Sequence, residues 1–209
     1  DMDGMFFNCT SFNQPLNTWN ISKVISMRGM FAYASSFNQP LNLWNTSSVR
    51  DMGIMFHEAS TFDQKVDMWD VSSVLNMEYM FSYAISFNQE VSSWDVSSTH
   101  NMMGLFLNAW SFNQALQPWN VSSVTNMESL FANCTLFDQP LNSWDVSSVT
   151  NMNFMFFFAS SFNHPLDSWD VSQVSTMSHM FAFASLFQQS IATWNVSKVQ
   201  DMNGMFLSA

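Results

Sequence analysis

The chain has 209 residues, of which 47 % are apolar and only 10 % are charged, with 16 acids against 5 bases and a formal net charge of -11. That balance excludes the clustered Lys and Arg that nucleic acid or a polybasic membrane contact requires. No apolar run approaches the ~18 residues of a membrane-spanning helix, so neither a nucleic-acid partner nor membrane insertion is expected.

Self-comparison reveals a gapless 25-residue period, with copies beginning at Asp1, Ser26, Asp51, Asn76, Asn101, Asn126, Asn151 and Thr176 and a partial ninth at Asp201. The expected organisation is therefore one solenoid over residues 1–209, eight full copies plus part of a ninth, excerpted from a longer array. Numbering columns 1 to 25 within the copy, column 1 is Asp, Ser, Asn or Thr, the residue types that cap a helix N-terminus. Columns 2, 5, 6 and 9 carry Met, Met or Leu, Phe and mostly Ala, as in Met77, Met80, Phe81 and Ala84. This i, i+3, i+4, i+7 spacing predicts a two-turn helix. Column 12 is always Phe. Column 13 is mostly Asn or Asp and column 14 mostly Gln, which predicts side-chain ladders between copies. Column 15 is Pro at Pro15, Pro40, Pro140 and Pro165, which suits the entry to a strand. Columns 16, 19 and 21 (Leu16, Trp19 and Ile21 in the first copy) have L-x-x-L-x-L spacing and predict a short strand with inward side chains. The expected fold class is an α/β repeat: a leucine-rich-repeat-like solenoid of 25-residue coils, each a short strand plus a short helix.

The recurring Trp, Phe and Met are read as core filler, since each coil must supply the same layer. Of the 18 Met, all but Met68 and Met103 lie in columns 2 and 5, which speaks against a copper site. Cys9 and Cys134 stand in the small-residue column, ~25 Å apart at sheet spacing, and are expected to be buried free thiols. His57, His100, His164 and His179 fall in four different columns, so no metal site and no cofactor is expected.

The motif W-D-V-S-S-V-T-N-M-x-x-M-F-x-x-A, seen through "VTNMNFMFFFA" at Val149 to Ala159, resembles the roughly 25-residue surface-protein repeat of Mycoplasma lipoproteins. It is also similar to BspA-like leucine-rich repeats of bacterial and protist surface proteins. The resemblance spans the whole chain. It implies an extracellular or cell-surface location, coat or adhesion roles, and no enzymatic activity.

Two sets of candidate sites follow from the columns. Column 20 is Asn or Asp and column 22 always Ser, giving N-x-S glycosylation sequons at Asn20, Asn45, Asn120 and Asn195; Asn8 and Asn133 head N-x-T sequons. The neighbouring acids Asp70, Asp95, Asp145 and Asp170 read as a solvated acidic face. Aromatics without core duty mark a candidate interface: Tyr33, Tyr79, Tyr83, Trp110, Phe154, Phe157, Phe158 and Phe183. The expected function is a non-enzymatic structural protein of an extracellular surface coat or fibril, a glycoprotein that self-associates head to tail or laterally. The alternative is a cell-surface adhesin that binds a host protein or glycan.

Overall fold

A computed structural model describes residues 1–209. Each 25-residue copy forms one coil, and the coils stack in parallel with residue i beside residue i+25. Single-residue parallel bridges at column 1 mark the stacking, from Ser26–Asp51 through Thr176–Asp201.

The content of the coil corrects the expected fold class. There is no helix and, apart from those column-1 bridges, no strand pairing. An α-helix would bond each amide to the carbonyl four residues back. In columns 2 to 9 alternate amides instead leave the coil. Met27, Gly29, Phe31 and Tyr33 donate to the carbonyls of Asp51, Gly53, Met55 and His57 in the next coil, at 3.0, 2.9, 2.9 and 2.7 Å. The intervening amides close tight turns, Met30 to Met27 and Ala34 to Phe31. The third residue of each turn has positive φ, 62° at both Gly29 and Tyr33, which is the type II signature. Every positive-φ residue of the chain lies in column 4 or column 8, in all nine copies. A two-turn helix gains little by itself, whereas consecutive type II turns leave half their amides free to join neighbouring coils.

The expected strand is also replaced by turns. Trp44 N–H bonds the Leu41 carbonyl at 3.1 Å and Val49 N–H bonds Thr46 at 2.8 Å, so columns 16–19 and 21–24 each reverse direction. The Trp side chain does more than fill space. The indole N–H of Trp94 donates to the Val66 carbonyl of the preceding coil at 3.0 Å, and Trp119 donates to Val91 at 2.9 Å.

The inward columns form one cluster of 62 buried residues. Within a coil, the rings of columns 6 and 12 stack, as Phe81 on Phe87 with centroids 3.9 Å apart. Between coils, Phe81 stacks on Phe106 at 6.0 Å and Trp94 on Trp119 at 6.3 Å. Polar ladders follow the same register. Asn13 Oδ1 accepts from the Asn38 amide and from Gln39 Nε2 at 2.9 and 3.1 Å, and the pattern recurs at Asp63, Asn88 and Asn113. Column 1 caps a turn rather than a helix: Asp51 Oδ1 accepts from the Gly53 amide at 2.8 Å, and Asn76 Oδ1 from Glu78 at 3.2 Å, in the manner of Asx turns.

Candidate functional site

Columns 4, 7 and 8 lie on the type II turns and vary among the copies. Column 7 is small at Ala32, Ala132 and Ala182, but His57 and Ser82 occupy it in coils 3 and 4. These two line a groove of about 350 Å³ together with Tyr33, Ile54, Tyr79, Tyr83 and Leu107, with Phe7 also contributing. All 3 tyrosines of the chain are gathered here.

Each tyrosine sits at a left-handed turn position, with φ of 62° at Tyr33, 51° at Tyr79 and 57° at Tyr83. Such a conformation costs an ordinary side chain about 1 kcal/mol or more, and here the inter-coil amide bonds hold it. The Tyr79 ring lies over Gly104, where a Cβ would overlap it. His57 stands edge-on between Tyr33 and Tyr83, with centroids 5.0 and 6.0 Å away and interplanar angles of 85° and 87°. Burial is the main influence on its pKa and lowers it below 6.5, while Glu58, 3.8 Å away, acts weakly the other way. The ring is therefore neutral at neutral pH. Burial also raises the Tyr79 phenol, helped by Glu128 and Glu78. His57 Nδ1 and Ser82 Oγ are buried and have no hydrogen-bond partner.

Beside the groove, Arg28 crosses the face of Gly53 to pair with Glu78 two coils away, with Asp51 at 3.7 Å. The hydrogen bond to Glu78 is the chief reason that the guanidinium pKa is raised. Asn101 Nδ2 closes the network on the other Glu78 oxygen at 2.8 Å. This cation is thus committed to its neighbours and is not presented to the groove.

A second groove of about 440 Å³ shares Tyr83 and Leu107 and runs on over Asn108, Ala132 and Asn133 to Phe157 and Phe158. Beyond it, Phe158 stacks on Phe183 at 4.3 Å, while Phe157 meets Phe154 edge-on at 5.5 Å. The structure therefore divides the sequence-predicted interface aromatics. Tyr33, Tyr79 and Tyr83 line the first groove, Phe154, Phe157, Phe158 and Phe183 cluster on coils 7 and 8, and the second groove joins Tyr83 to Phe157 and Phe158. Trp110 is exposed and belongs to none of these. The polar members, His57 and Ser82, escaped the sequence reading. Their signal was a break in column 7, where Ala is the commonest residue.

At three of the sequons the asparagine is tied into its own turn. Asn20, Asn45 and Asn120 each accept on Oδ1 from the hydroxyl of Ser22, Ser47 or Ser122, at 2.8, 2.7 and 2.8 Å. Asn195 accepts from the Ser197 amide at 3.2 Å. Asn133 Nδ2, the atom that would carry a glycan, donates to Asn108 Oδ1, while Asn8 is exposed on the first coil. The acidic members of column 20 make the same turn: Asp95 and Asp170 bond Ser97 and Ser172, which lowers both carboxyl pKa values. Cys134 is buried as expected, with Sγ 2.8 Å from the Phe106 carbonyl and a thiol pKa pushed up by burial. Cys9, expected to be buried, is exposed.

A stack of turn-built coils in a 25-residue register defines a repeat protein. The family described as "Mycoplasma protein of unknown function, DUF285" matches residues 39–135 and 100–209, well over half of the chain. The chain belongs to this family. No curated protein matches it.

Proposed function

We propose that the chain is a non-enzymatic surface-displayed binding module, an adhesin whose stacked coils hold the tyrosine groove toward a host protein or glycan. The observation that carries this reading is the groove itself. On a scaffold whose core columns repeat, coils 2 to 4 concentrate all the tyrosines and leave two buried polar atoms unpaired. Tyrosine supplies a large contact surface at low entropic cost, which is why it is favoured where proteins bind. The extracellular location and the BspA-like relationship belong to the same proposal, supported by the resemblance of the repeat motif.

The test is retention of the purified chain, coupled to beads, on surfaces coated with matrix proteins or with glycans. Retention on one class of surface that falls with Tyr83→Ala supports an adhesin. Failure to bind any surface, with regular fibres in electron micrographs, supports the second reading, a structural coat or fibril. That reading is favoured by the uniform ladders of Asn13 to Asn163, which give every coil the same rigid link to the next.

A further inference from the structure

We infer that the tyrosine groove binds an uncharged saccharide chain laid along the stack. This deepens the adhesive reading and rests on it. The first argument is the orphaned pair. A hydroxyl or imidazole nitrogen that is buried without a partner is costly, and Ser82 Oγ and His57 Nδ1 are both in that state on neighbouring coils. A Ser hydroxyl can donate and accept, and a neutral imidazole offers one donor and one acceptor. Both residues line the groove but the two atoms are closed to solvent, so a ligand reaches them by displacing the side chains above; a hydroxyl-rich chain then satisfies both and an acyl chain neither.

The second argument is the wall. Tyr33, His57 and Tyr83 line the groove as an edge-to-face row of rings, an apolar wall of the kind the C–H faces of sugar rings pack against, while the phenol hydroxyls can bond ring substituents. The third is the backbone. In coils 3 and 4 the amides of Ile54, Glu58, Tyr79 and Tyr83 are all spent on the next coil, so a peptide cannot add to the groove as a strand. The fourth is charge. No Lys or Arg lines the groove and the chain carries -11, so sulfated or sialylated chains are repelled. The last is register. Tyr33 and Tyr83 share a column two coils apart, about 10 Å at the sheet spacing, close to the two-sugar repeat of an extended β-1,4-linked chain.

Calorimetric titration of the full 209-residue chain with cellohexaose and with chitohexaose tests this. The expected result is saturable binding of at least one of them. Tyr83→Ala weakens it tenfold or more, Tyr83→Phe retains most of it, Ser82→Ala weakens it several-fold, and Met68→Ala, on a different exposed face, leaves it unchanged. Tyr83 is itself substantially exposed, and an unchanged circular dichroism melt verifies that Tyr83→Ala still folds. Absence of binding by both sugars at millimolar concentration overturns the inference, as does wild-type affinity in Tyr83→Ala. Saturable binding of tyrosinamide with no binding of either sugar reassigns the groove to an aromatic side chain of a protein and also overturns it. If bead adhesion persists while both sugars fail to bind, the adhesive reading stands without the saccharide.

Discussion

Tyr79 and Gly104 occupy the same column on adjacent coils and are fitted to one another: the ring of one takes the space that a Cβ on the other would need. Gly104 also has φ of 57°, so Gly104→Val meets both a backbone penalty and an overlap. Equilibrium unfolding should show a loss of about 1–3 kcal/mol, and combining it with Tyr79→Ala should recover the steric share. His57 gives a different readout. Its folded pKa is below 6.5 because of burial, so as pH falls the unfolded chain takes up the proton first. Neutral His57 contributes its full stability above pH 6.5, and that contribution is lost as the solution is acidified toward the lower folded pKa. Melting temperatures should therefore drop over this interval in the wild type, and His57→Gln should flatten the slope. The thiols separate in the same way by exposure. A disulfide reagent should consume one thiol in the native chain, Cys9, and reach Cys134 only after denaturant exposes it.

At the scale of the coil, the informative element is the pair of type II turns in columns 2 to 9. The sequence identified which columns face inward, because Met77, Met80, Phe81 and Ala84 are all fully buried. It did not identify the backbone that buries them. Two successive turns of four residues put columns 2, 5, 6 and 9 inward just as a helix would, so apolar spacing alone could not separate the two. The discriminating residues were Gly4, Gly29, Gly104 and Gly204 in column 4 and Asn8, Asn108 and Asn133 in column 8. Gly and Asn are the residues that adopt left-handed φ at least cost, and in the interior of a helix a Gly is unfavourable. The tyrosines of the groove were legible as apolar residues without core duty, but their assembly around His57 and Ser82 was not, because it depends on which columns the turns bring to one face. The Trp column offers the strongest energetic test. Trp94→Ala removes a ring that stacks on Trp119 and on Phe81 and deprives the Val66 carbonyl of its indole donor. The cost should be about 3–5 kcal/mol in denaturant unfolding, and a near-neutral result would contradict the packing described for this column.

For the whole molecule, the strict pairing of residue i with i+25 makes the coil the unit of stability. Stability in such stacks is approximately a sum over units and nearest-neighbour interfaces. Deleting residues 126–150, one complete coil, should leave a chain that folds and melts cooperatively at a somewhat lower temperature. Deleting residues 126–137 should abolish the near-ultraviolet signature of the Trp stack, because every following column would meet the wrong partner. The same register gives the face that holds the groove a particular freedom. In-frame gain or loss of 25 codons inserts or removes a whole coil without disturbing the bonds on either side, so copy number can drift by unequal recombination between near-identical segments. Columns 4, 7 and 8 lie outside the 62-residue core cluster and can meanwhile accumulate substitutions, within the limits set by left-handed φ and by the fit between neighbouring coils. Length and surface then become separately heritable traits, and a lineage can re-tailor what the groove recognises while keeping the architecture that displays it.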